Sequence, residues 1–401
     1  MSEFKRASSR GELFCKLESI DTDFDFTEGQ CVRFIGVSRS HFNKDSFRDG
    51  VEAVVIDLPI HTVMNGFRNE IPICDQPDDC GICFSGLHHW FLVKFTVSGS
   101  AAQAELGYLY SCFATDEPFP IAIALDSITR LEGFELPNFP SYVPNALLYD
   151  AYNWTCSTFE VGQGMASFVY NDIGGFLIDA GAGTPIKRKD YTSGSLTSND
   201  LMARVNGRTV TFVLSHGDED HWRILRWDAQ LCGQIVSFVI PNTRPSIAFF
   251  DKTIKPRVRQ LSGHSFLSLS ATKKLSLFRT SPKTPTSNND GIVALFEDGP
   301  NAVLMPGDCV YKELALDKDA AVQALVARNY CAVVVPHHGD FASSLNVPIA
   351  QSAGISKAFF SAGNHVKYKH PTPGSETSHA SAGYSGIVNK TPTGIVEHQL
   401  K

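Results

Sequence analysis

Four side chains that commonly bind metal ions occur within six residues of this sequence, in the segment SHGDEDHW at positions 215–222. They are His216, Asp218, Asp220 and His221. Imidazole and carboxylate groups at this density would repel one another, or lose hydration at a cost, unless a cation neutralised them. A solvated acidic loop is the alternative interpretation. The apolar run TFVL at 211–214, typical of a buried strand, favours a metal site directly after it.

Further ligand-type residues follow other apolar runs in the same way. Such runs end at or shortly before Asp179, Asp308, His337 and His370. A strand delivers its last side chains to a defined place, so this repetition indicates one shared site at a sheet edge. We also expect helices at 198–205, capped by Ser198 or Asn199, and at 313–328. Strands and helices therefore alternate, which is typical of an α/β fold.

The length of 401 residues favours two domains. Residues 1–145 carry many short β-like runs separated by turn residues, which predicts a mostly-β accessory domain of unknown role. A proline-rich stretch at 135–144 predicts a linker. Residues 146–401 would then form the domain that carries the ligand-type residues, with a loosely ordered tail after 376.

The composition is that of a globular protein, with 43% hydrophobic and 19% charged residues. No apolar stretch reaches the roughly twenty residues needed to cross a bilayer, and the N-terminus lacks a signal-peptide core, so we expect a cytoplasmic protein without a membrane partner. Cys74, Cys80 and Cys83, with His88 or His89, could hold a structural zinc, although free cysteines are the commoner case.

The net charge of −7 argues against bulk attraction to nucleic acid. The segment 251–283 is nevertheless strongly basic, with eight Lys and Arg residues against one acidic residue. It could form a phosphate-attracting rim beside a metal centre, or an ordinary solvated surface.

The ordered set of motifs resembles the metallo-β-lactamase superfamily, and within it the ComEC-like competence-type hydrolase domain. The matching pieces cover about residues 158–375 and are VGQG at 161–164, LIDAG at 177–181, SHGDEDH at 215–221, NN at 288–289, LMPGD at 304–308, VPHHG at 335–339, and SAGN at 361–364 with His370-Pro371. The resemblance implies an αββα sandwich, with two sheets back to back, helices outside, and metals at one edge.

The resemblance also implies specific roles. His216 and Asp218 would hold one metal ion, and Asp220 and His221 the second. Asp308 would bridge the two, and His337 would complete the ligand set. Asp179 would support a ligand without binding metal, and His338 would face a phosphate or act as a spacer. His264 is a further candidate ligand, although a histidine in such a loop is more often simply exposed to solvent.

The chemistry expected of such a centre is hydrolysis. Two divalent cations, Zn or Mn, could hold a bridging hydroxide and stabilise charge on a phosphate oxygen. We assign catalytic roles to Asp220 and to His370, which could donate a proton to the leaving group or simply cap a loop. The leading hypothesis is a phosphodiesterase, and in the first place a nuclease with a nucleic acid substrate. The alternatives are a small-molecule hydrolase of a cyclic nucleotide, lactone or thioester, and a non-catalytic binding module. The accessory domain could bind a protein partner.

Overall fold

The structure is a computed structural model and describes residues 9–27, 29–67, 89–98, 106–113, 120–144, 153–243, 245–363, 369–388 and 393–400. The chain forms two compact units, one of residues 1–138 with 245–256 and one of 139–244 with 257–401. This differs from the predicted contiguous pair, 1–145 and 146–401. The reason is backbone pairing, since Val51 donates to the carbonyl oxygen of Phe250 and Lys252 donates to that of Val51.

The smaller unit is a closed antiparallel barrel in the order β1-β2-β3-β5-β6-β4. Its strands and helices are β1 (Arg10–Asp23), β2 (Gln30–Ser38), α1 (Lys44–Asp49), β3 (Val54–Pro59), α2 (Ile60–Phe67), β4 (Trp90–Val97), β5 (Gly107–Ser111) and β6 (Ile121–Leu131). Leu13, Cys15 and Leu17 alternate with less buried residues along β1, as expected of a strand with one face in a core. The predicted mostly-β character of this region is confirmed.

The larger unit contains two seven-stranded sheets. The first has the order β12-β11-β10-β9-β8-β7-β20 and the second β13-β14-β15-β16-β17-β18-β19. The strands of the first are β7 (Thr155–Phe159), β8 (Ala166–Tyr170), β9 (Gly174–Ala180), β10 (Thr209–Val213), β11 (Ile235–Pro241), β12 (Val258–Leu261) and β20 (Glu397–Gln399). Those of the second are β13 (Ser265–Ser268), β14 (Lys273–Arg279), β15 (Ile292–Asp298), β16 (Asn301–Met305), β17 (Ala332–Val334), β18 (Lys357–Phe360) and β19 (Ser385–Val388).

The two sheets share one core. Val169, Ile178 and Val213 of the first sheet belong to the same buried cluster as Ala294 and Met305 of the second. Burying apolar side chains between two sheet faces is the main stabilising contribution in such a sandwich. The sheets therefore lie back to back, as the resemblance implied.

Short helices cover the outer faces. They are α3 (Arg188–Thr192), α4 (Asp200–Val205), α5 (Arg223–Trp227), α6 (Ala229–Gln234), α7 (Tyr311–Ala315), α8 (Ala320–Gln323) and α9 (Pro373–Ser381). Tyr311 and Leu314 of α7 pack on the outer face of the second sheet with Val293 and Leu295, while α6 contacts β11 of the first. The predicted α/β fold class, an αββα sandwich with a mostly-β N-terminal region, is thus confirmed.

Three local predictions have different outcomes. Helix α4 begins after Asn199, whose side chain accepts a hydrogen bond from the Met202 backbone nitrogen, as expected of a cap. The single helix expected at 313–328 is instead divided into α7, α8 and a 3₁₀ turn at 324–327. The tail expected to be loose contains α9, β19 and β20, and β20 pairs with β7. Among the described residues, no helix has the length and apolarity needed to cross a membrane.

Candidate metal centre

The loop after β10 holds the four candidate ligands and is anchored to β9 beside it. Asp179, near the end of β9, accepts hydrogen bonds from the Ser215 backbone nitrogen at 2.7 Å and from His221 Nδ1 at 2.8 Å. Because a carboxylate only accepts, the proton of His221 lies on Nδ1 and its Nε2 is turned the other way. Asp179 is therefore placed to orient a ligand, as the resemblance implied.

His221 Nε2 faces a second carboxylate, that of Asp308, which follows β16. The distance from Nε2 to Asp308 Oδ1 is 3.2 Å, and His216 Nε2 lies 3.7 Å from Asp308 Oδ2. The rings of His216 and His221 are 4.1 Å apart at their centroids. These three side chains form one group whose ligand atoms lie within 4.8 Å of one another.

A second group contains Asp220, His221 and His338. His338 Nδ1 lies 2.8 Å from the Ser361 carbonyl oxygen, which can only accept, so Nδ1 carries the proton. Its Nε2 lies 3.1 Å from Asp220 Oδ2. Imidazole nitrogen and carboxylate oxygen are both metal-binding atoms, so this pair could hold an ion. The same nitrogen is 3.8 Å from Asp308 Oδ1, so Asp308 lies within reach of both groups.

The donor atoms fit a metal. His216 Nε2, His221 Nε2 and Asp308 Oδ1 are buried and have no hydrogen-bond partner. Leaving one such atom without a partner costs about 1–3 kcal/mol, so three within 4.8 Å of one another indicate partners that the protein itself does not supply. Mixed imidazole and carboxylate donors suit Zn and also admit Mn.

The electrostatics of the group indicate the same partner. Burial alone would lower the pKa of His221, but the carboxylates of Asp308, Asp179 and Asp220 outweigh it and raise this pKa well above its ordinary value. Burial alone would raise the pKa of Asp308, yet the neighbouring histidines, His221 first, hold it well below its ordinary value. A divalent cation would replace the protons that this negative field attracts.

Not every predicted ligand lies at the centre of these groups. Asp218 Oδ2 is 3.3 Å from His216 Nε2, but its side chain is 39% exposed. His337 Nε2 is 3.8 Å from Asp308 Oδ2, and its two ring nitrogens already contact Asp340 at 3.0 Å and Asn288 at 3.2 Å. The structure thus brings His338, rather than His337, into close contact with the Asp220 carboxylate.

His370 lies beside the two groups. Its ring is stacked on that of His338 at a centroid distance of 6.4 Å, and its Nδ1 is 3.3 Å from Gln163 Nε2. Burial, then the charges of His338 and His337, lowers the pKa of His370 to about 3. His370 is therefore neutral at ordinary pH. Because the Gln163 amide donates to Nδ1, the ring proton lies on Nε2 and can be donated in a hydrogen bond.

The acidic loop is held from its other side by a buried ion pair. Glu219, which lies between two candidate ligands, is 2% exposed and pairs with Arg226 and, at 3.2 Å, with Arg223. The sequence offered no signal for this, because an Asp-Glu-Asp triplet is usually solvated. Burying this pair leaves the loop few alternative conformations, since an unpaired buried charge is costly.

The other candidate metal sites have separate outcomes. His264 Nε2 pairs with Asp319 at 3.1 Å and its Nδ1 accepts from the Arg279 backbone nitrogen at 3.2 Å, so both ring nitrogens have protein partners. His89 lies against Arg130. The remaining members of the predicted zinc cluster, Cys74, Cys80, Cys83 and His88, lie outside the described residues.

The basic residues of the segment 251–283 belong to both units, and several of them have partners within their own unit. Lys252 pairs with Glu52 in the smaller unit, and in the larger unit Arg279 is 8% exposed and pairs with Asp290. Arg257 donates to two backbone carbonyl groups. Strand β14 carries basic residues at both ends, which are about 20 Å apart. Several of these side chains therefore have structural partners.

No protein-family model matches this sequence, and no curated protein does either. Solved structures with some likeness include the metallo-β-lactamase-fold protein YhfI from Bacillus subtilis (14% identity, TM-score 0.36, 61% of this chain and 100% of that one). A CmlA β-hydroxylase mutant has 12% identity and a TM-score of 0.36 over 61% of this chain and 54% of that one, so the match spans about half of its length. Zinc-bound PqqB from Methylobacterium extorquens has 12% identity and a TM-score of 0.34 over 58% and 86%. At these values the site's own residues must carry any inference about function.

Proposed function

We propose that this protein is a metal-dependent hydrolase of phosphodiesters, of the ComEC-like branch of the metallo-β-lactamase superfamily, and that its substrate is a nucleic acid. One observation carries the proposal above all. Three buried donor atoms without partners, on His216, His221 and Asp308, converge beside a second group formed with Asp220 and His338. The ordered motifs along the chain support the same assignment.

The residues divide between two ions in a way that their hydrogen bonds restrict. His221 has one available ring nitrogen, because the other donates to Asp179, and it can therefore serve only one ion. We assign His221 to the position of Asp220 and His338. The other position then takes His216 with Asp218, and Asp308 is shared, since it lies within 4 Å of both groups.

Bound divalent cations would supply Lewis acidity and would lower the pKa of a water molecule that attacks the phosphorus. The residues of this chain orient the ligands and contact the substrate. Asp179 fixes the ring of His221, and the Ser361 carbonyl group fixes the ring of His338. His370 presents Nε2–H as a hydrogen-bond donor to a substrate oxygen, an arrangement that would stabilise developing negative charge. Its lowered pKa argues against a role as a protonated acid.

The donor set supports a phosphate ester over other hydrolysable groups. Ions held by several carboxylates as well as imidazoles would retain affinity for hard oxygen ligands, which a phosphate ester supplies. The basic segment 251–283 gives the nucleic acid substrate little support, because several of its side chains already have partners within the protein. The nucleic acid substrate therefore rests on the motifs, and small phosphodiesters are the comparison in the test.

The test is cleavage of labelled single- and double-stranded DNA and RNA, and of bis-p-nitrophenyl phosphate, with Zn or Mn added. We expect His338→Ala to cost about one metal ion per chain and to lower cleavage at least about tenfold. His264→Ala is the matched control, because that histidine has its own partners elsewhere, and it should retain both.

Each other outcome has a clear meaning. Cleavage of the small diester without cleavage of any polymer would replace the nuclease by a small-molecule phosphodiesterase. Metal bound in the expected ratio with no hydrolysis of any of these phosphodiesters would contradict the phosphodiesterase assignment. Equal metal content in His338→Ala and the wild type would overturn the assignment of the site itself.

A further inference from the structure

A cavity lies in the larger unit, away from the metal centre, and no motif described above accounts for it. Its volume is about 390 Å³, within the range of roughly 300–1,000 Å³ typical of small-molecule sites. It is lined by residues 141–143, 154, 171, 173–176, 209, 211, 236, 237 and 259. This set brings together the start of β9, the start of β10, part of β11 and the segment before β7.

The cavity lies at the N-terminal ends of strands β9 and β10, whereas the metal centre lies at their C-terminal ends. Strands β9 and β10 are parallel, with Thr209 paired to Gly174 and Val213 paired to Ile178. The cavity uses the first residues of both strands, whereas Asp179 lies near the end of β9 and the ligand loop follows β10. Four residues of extended strand separate the ends of β10, which is about 13 Å. A molecule in the cavity therefore occupies a site separate from the metal ligands.

The lining is mainly apolar and includes side chains that are unusually exposed for their type. Val143 is 77% exposed, Val236 is 53% exposed and Ile173 is 40% exposed. The rings of Trp154 and Phe176 stack behind them, with centroids 6.3 Å apart. Isolated exposed apolar residues are ordinary, but three on one concave surface backed by aromatic rings are typical of a ligand site.

The polar groups of the lining favour a ligand with an acidic oxygen. Asn171 is 3% exposed and its Oδ1 accepts from the backbone nitrogens of Ile173 and Gly174, which builds the turn between β8 and β9. Its Nδ2 is buried and has no hydrogen-bond partner. A buried donor without a partner is rare and indicates an acceptor that the protein itself does not supply. Arg259 is the one charged side chain among the described lining residues, which include no carboxylate.

We propose that this cavity binds a small aromatic organic acid. The aromatic body would contact Val236, Ile173 and the Trp154 ring, and the acidic group would accept hydrogen bonds from Asn171 and Arg259. The recognised chemistry is a flat apolar ring system that carries one carboxylate or sulfonate. This site is independent of the hydrolytic centre, so it stands whatever the metal ligands prove to do.

The test uses 8-anilino-1-naphthalenesulfonate, an aromatic sulfonate whose fluorescence rises in apolar surroundings, with the full chain in buffer. We expect saturable binding of one molecule per chain. Val236→Glu places a like charge on the cavity surface and should weaken binding at least about tenfold. Arg259→Gln should weaken it by a similar factor, since it removes a charge-assisted hydrogen bond. Ile355→Glu is the matched control, because Ile355 is 77% exposed and lies outside the lining, and it should bind as the wild type does.

A competition experiment tests the acidic group separately. 1-Naphthoate should displace the dye at least about tenfold more effectively than neutral 1-naphthol, which has the same rings. Equal displacement would refute the acidic ligand. Binding that does not saturate, or that Val236→Glu leaves unchanged while circular dichroism shows a folded protein, would refute the site. If Arg259→Gln fails to fold, the comparison of 1-naphthoate with 1-naphthol decides the acidic group, and Ile173→Glu is a second test of the site, because Ile173 is partly exposed.

Discussion

Gly181, directly after β9, is the position where one added methyl group should dismantle the metal centre. A Cβ built there would lie 1.5 Å from the Asp220 carbonyl oxygen, 2.5 Å from its carbonyl carbon and 2.9 Å from the Met165 backbone nitrogen. All three are backbone atoms, so no side-chain rotation relieves the contact. Gly181 is also held in place, because its nitrogen donates to the Met165 carbonyl oxygen at 2.7 Å.

The displacement that Gly181→Ala requires can be worked out from these distances. Carbon and oxygen atoms in such contacts are essentially never closer than 3.0 Å, so the Asp220 backbone must move by 3.0 minus 1.5, which is about 1.5 Å. Metal–ligand distances tolerate only about ±0.2 Å. The Asp220 carboxylate therefore leaves its ligand position. Overpacking of this kind also costs about 1–3 kcal/mol of unfolding free energy.

The assay measures two quantities on the purified variant. Metal content after loading with Zn or Mn and desalting should fall by about one ion per chain, and urea unfolding should show the loss of stability. Gly233→Ala is the matched control. Gly233 lies in α6 with no atom within 4 Å of an added Cβ, so the methyl group should stabilise the helix by about 0.5–1 kcal/mol.

The result that would refute the reasoning is a Gly181→Ala protein with wild-type metal content and wild-type unfolding free energy. It would mean that the loop accommodates a 1.5 Å shift without loss of its ligands. The anchoring of Glu219 by two arginines would then contribute nothing to ligand placement. Loss of metal in Gly233→Ala as well would show that the assay reports general damage.

Three further predictions concern single side chains. Asp179→Asn should weaken metal binding about 10–100-fold by loosening His221, measured by competition with a chromophoric chelator; unchanged affinity would contradict the orienting role. Burial lowers the pKa of His379 to about 4, against about 6.5 in the unfolded chain. As the pH falls, His379 is therefore protonated in the unfolded chain before it is protonated in the folded one. Unfolding free energy should fall by about 3 kcal/mol from pH 6.5 to 4, and His379→Gln should lack that fall. Asp57→Ala should destabilise the barrel by about 3–5 kcal/mol in urea unfolding, because buried Arg33 loses a bidentate partner; a change under 1 kcal/mol would contradict this.

Local features of the sequence determined much of the larger unit. An apolar run followed by His or Asp predicted strand ends that meet at one edge, and β9, β10 and β16 do bring Asp179, His216 and Asp308 together. Asn199 predicted a helix start from its side-chain chemistry alone. Such predictions succeed because side-chain period, caps and turn residues act over a few neighbouring positions.

Tertiary structure decided which histidine faces the carboxylates. His337 and His338 are adjacent, and both have a positive φ, so the local sequence does not distinguish them. The choice depends on Ser361, which holds His338 from the end of β18, and on Asp340, which holds His337 at the outer side. The partners of His338 lie 23 and 118 residues away along the chain, and only the packed fold brings them within hydrogen-bond distance.

The same reason explains the other features that were missed. From the sequence, Glu219 is expected to be solvated, but in the fold it pairs with Arg226. Residues 245–256 are expected in the larger unit, but their backbone pairs with Val51 of the smaller one. The cavity described above arises where the beginnings of β9, β10 and β11 meet the segment before β7. Residue types and spacing thus determined which chemistry the chain carries. The fold decided which atoms face one another, because hydrogen-bond partners and burial come from residues distant in sequence.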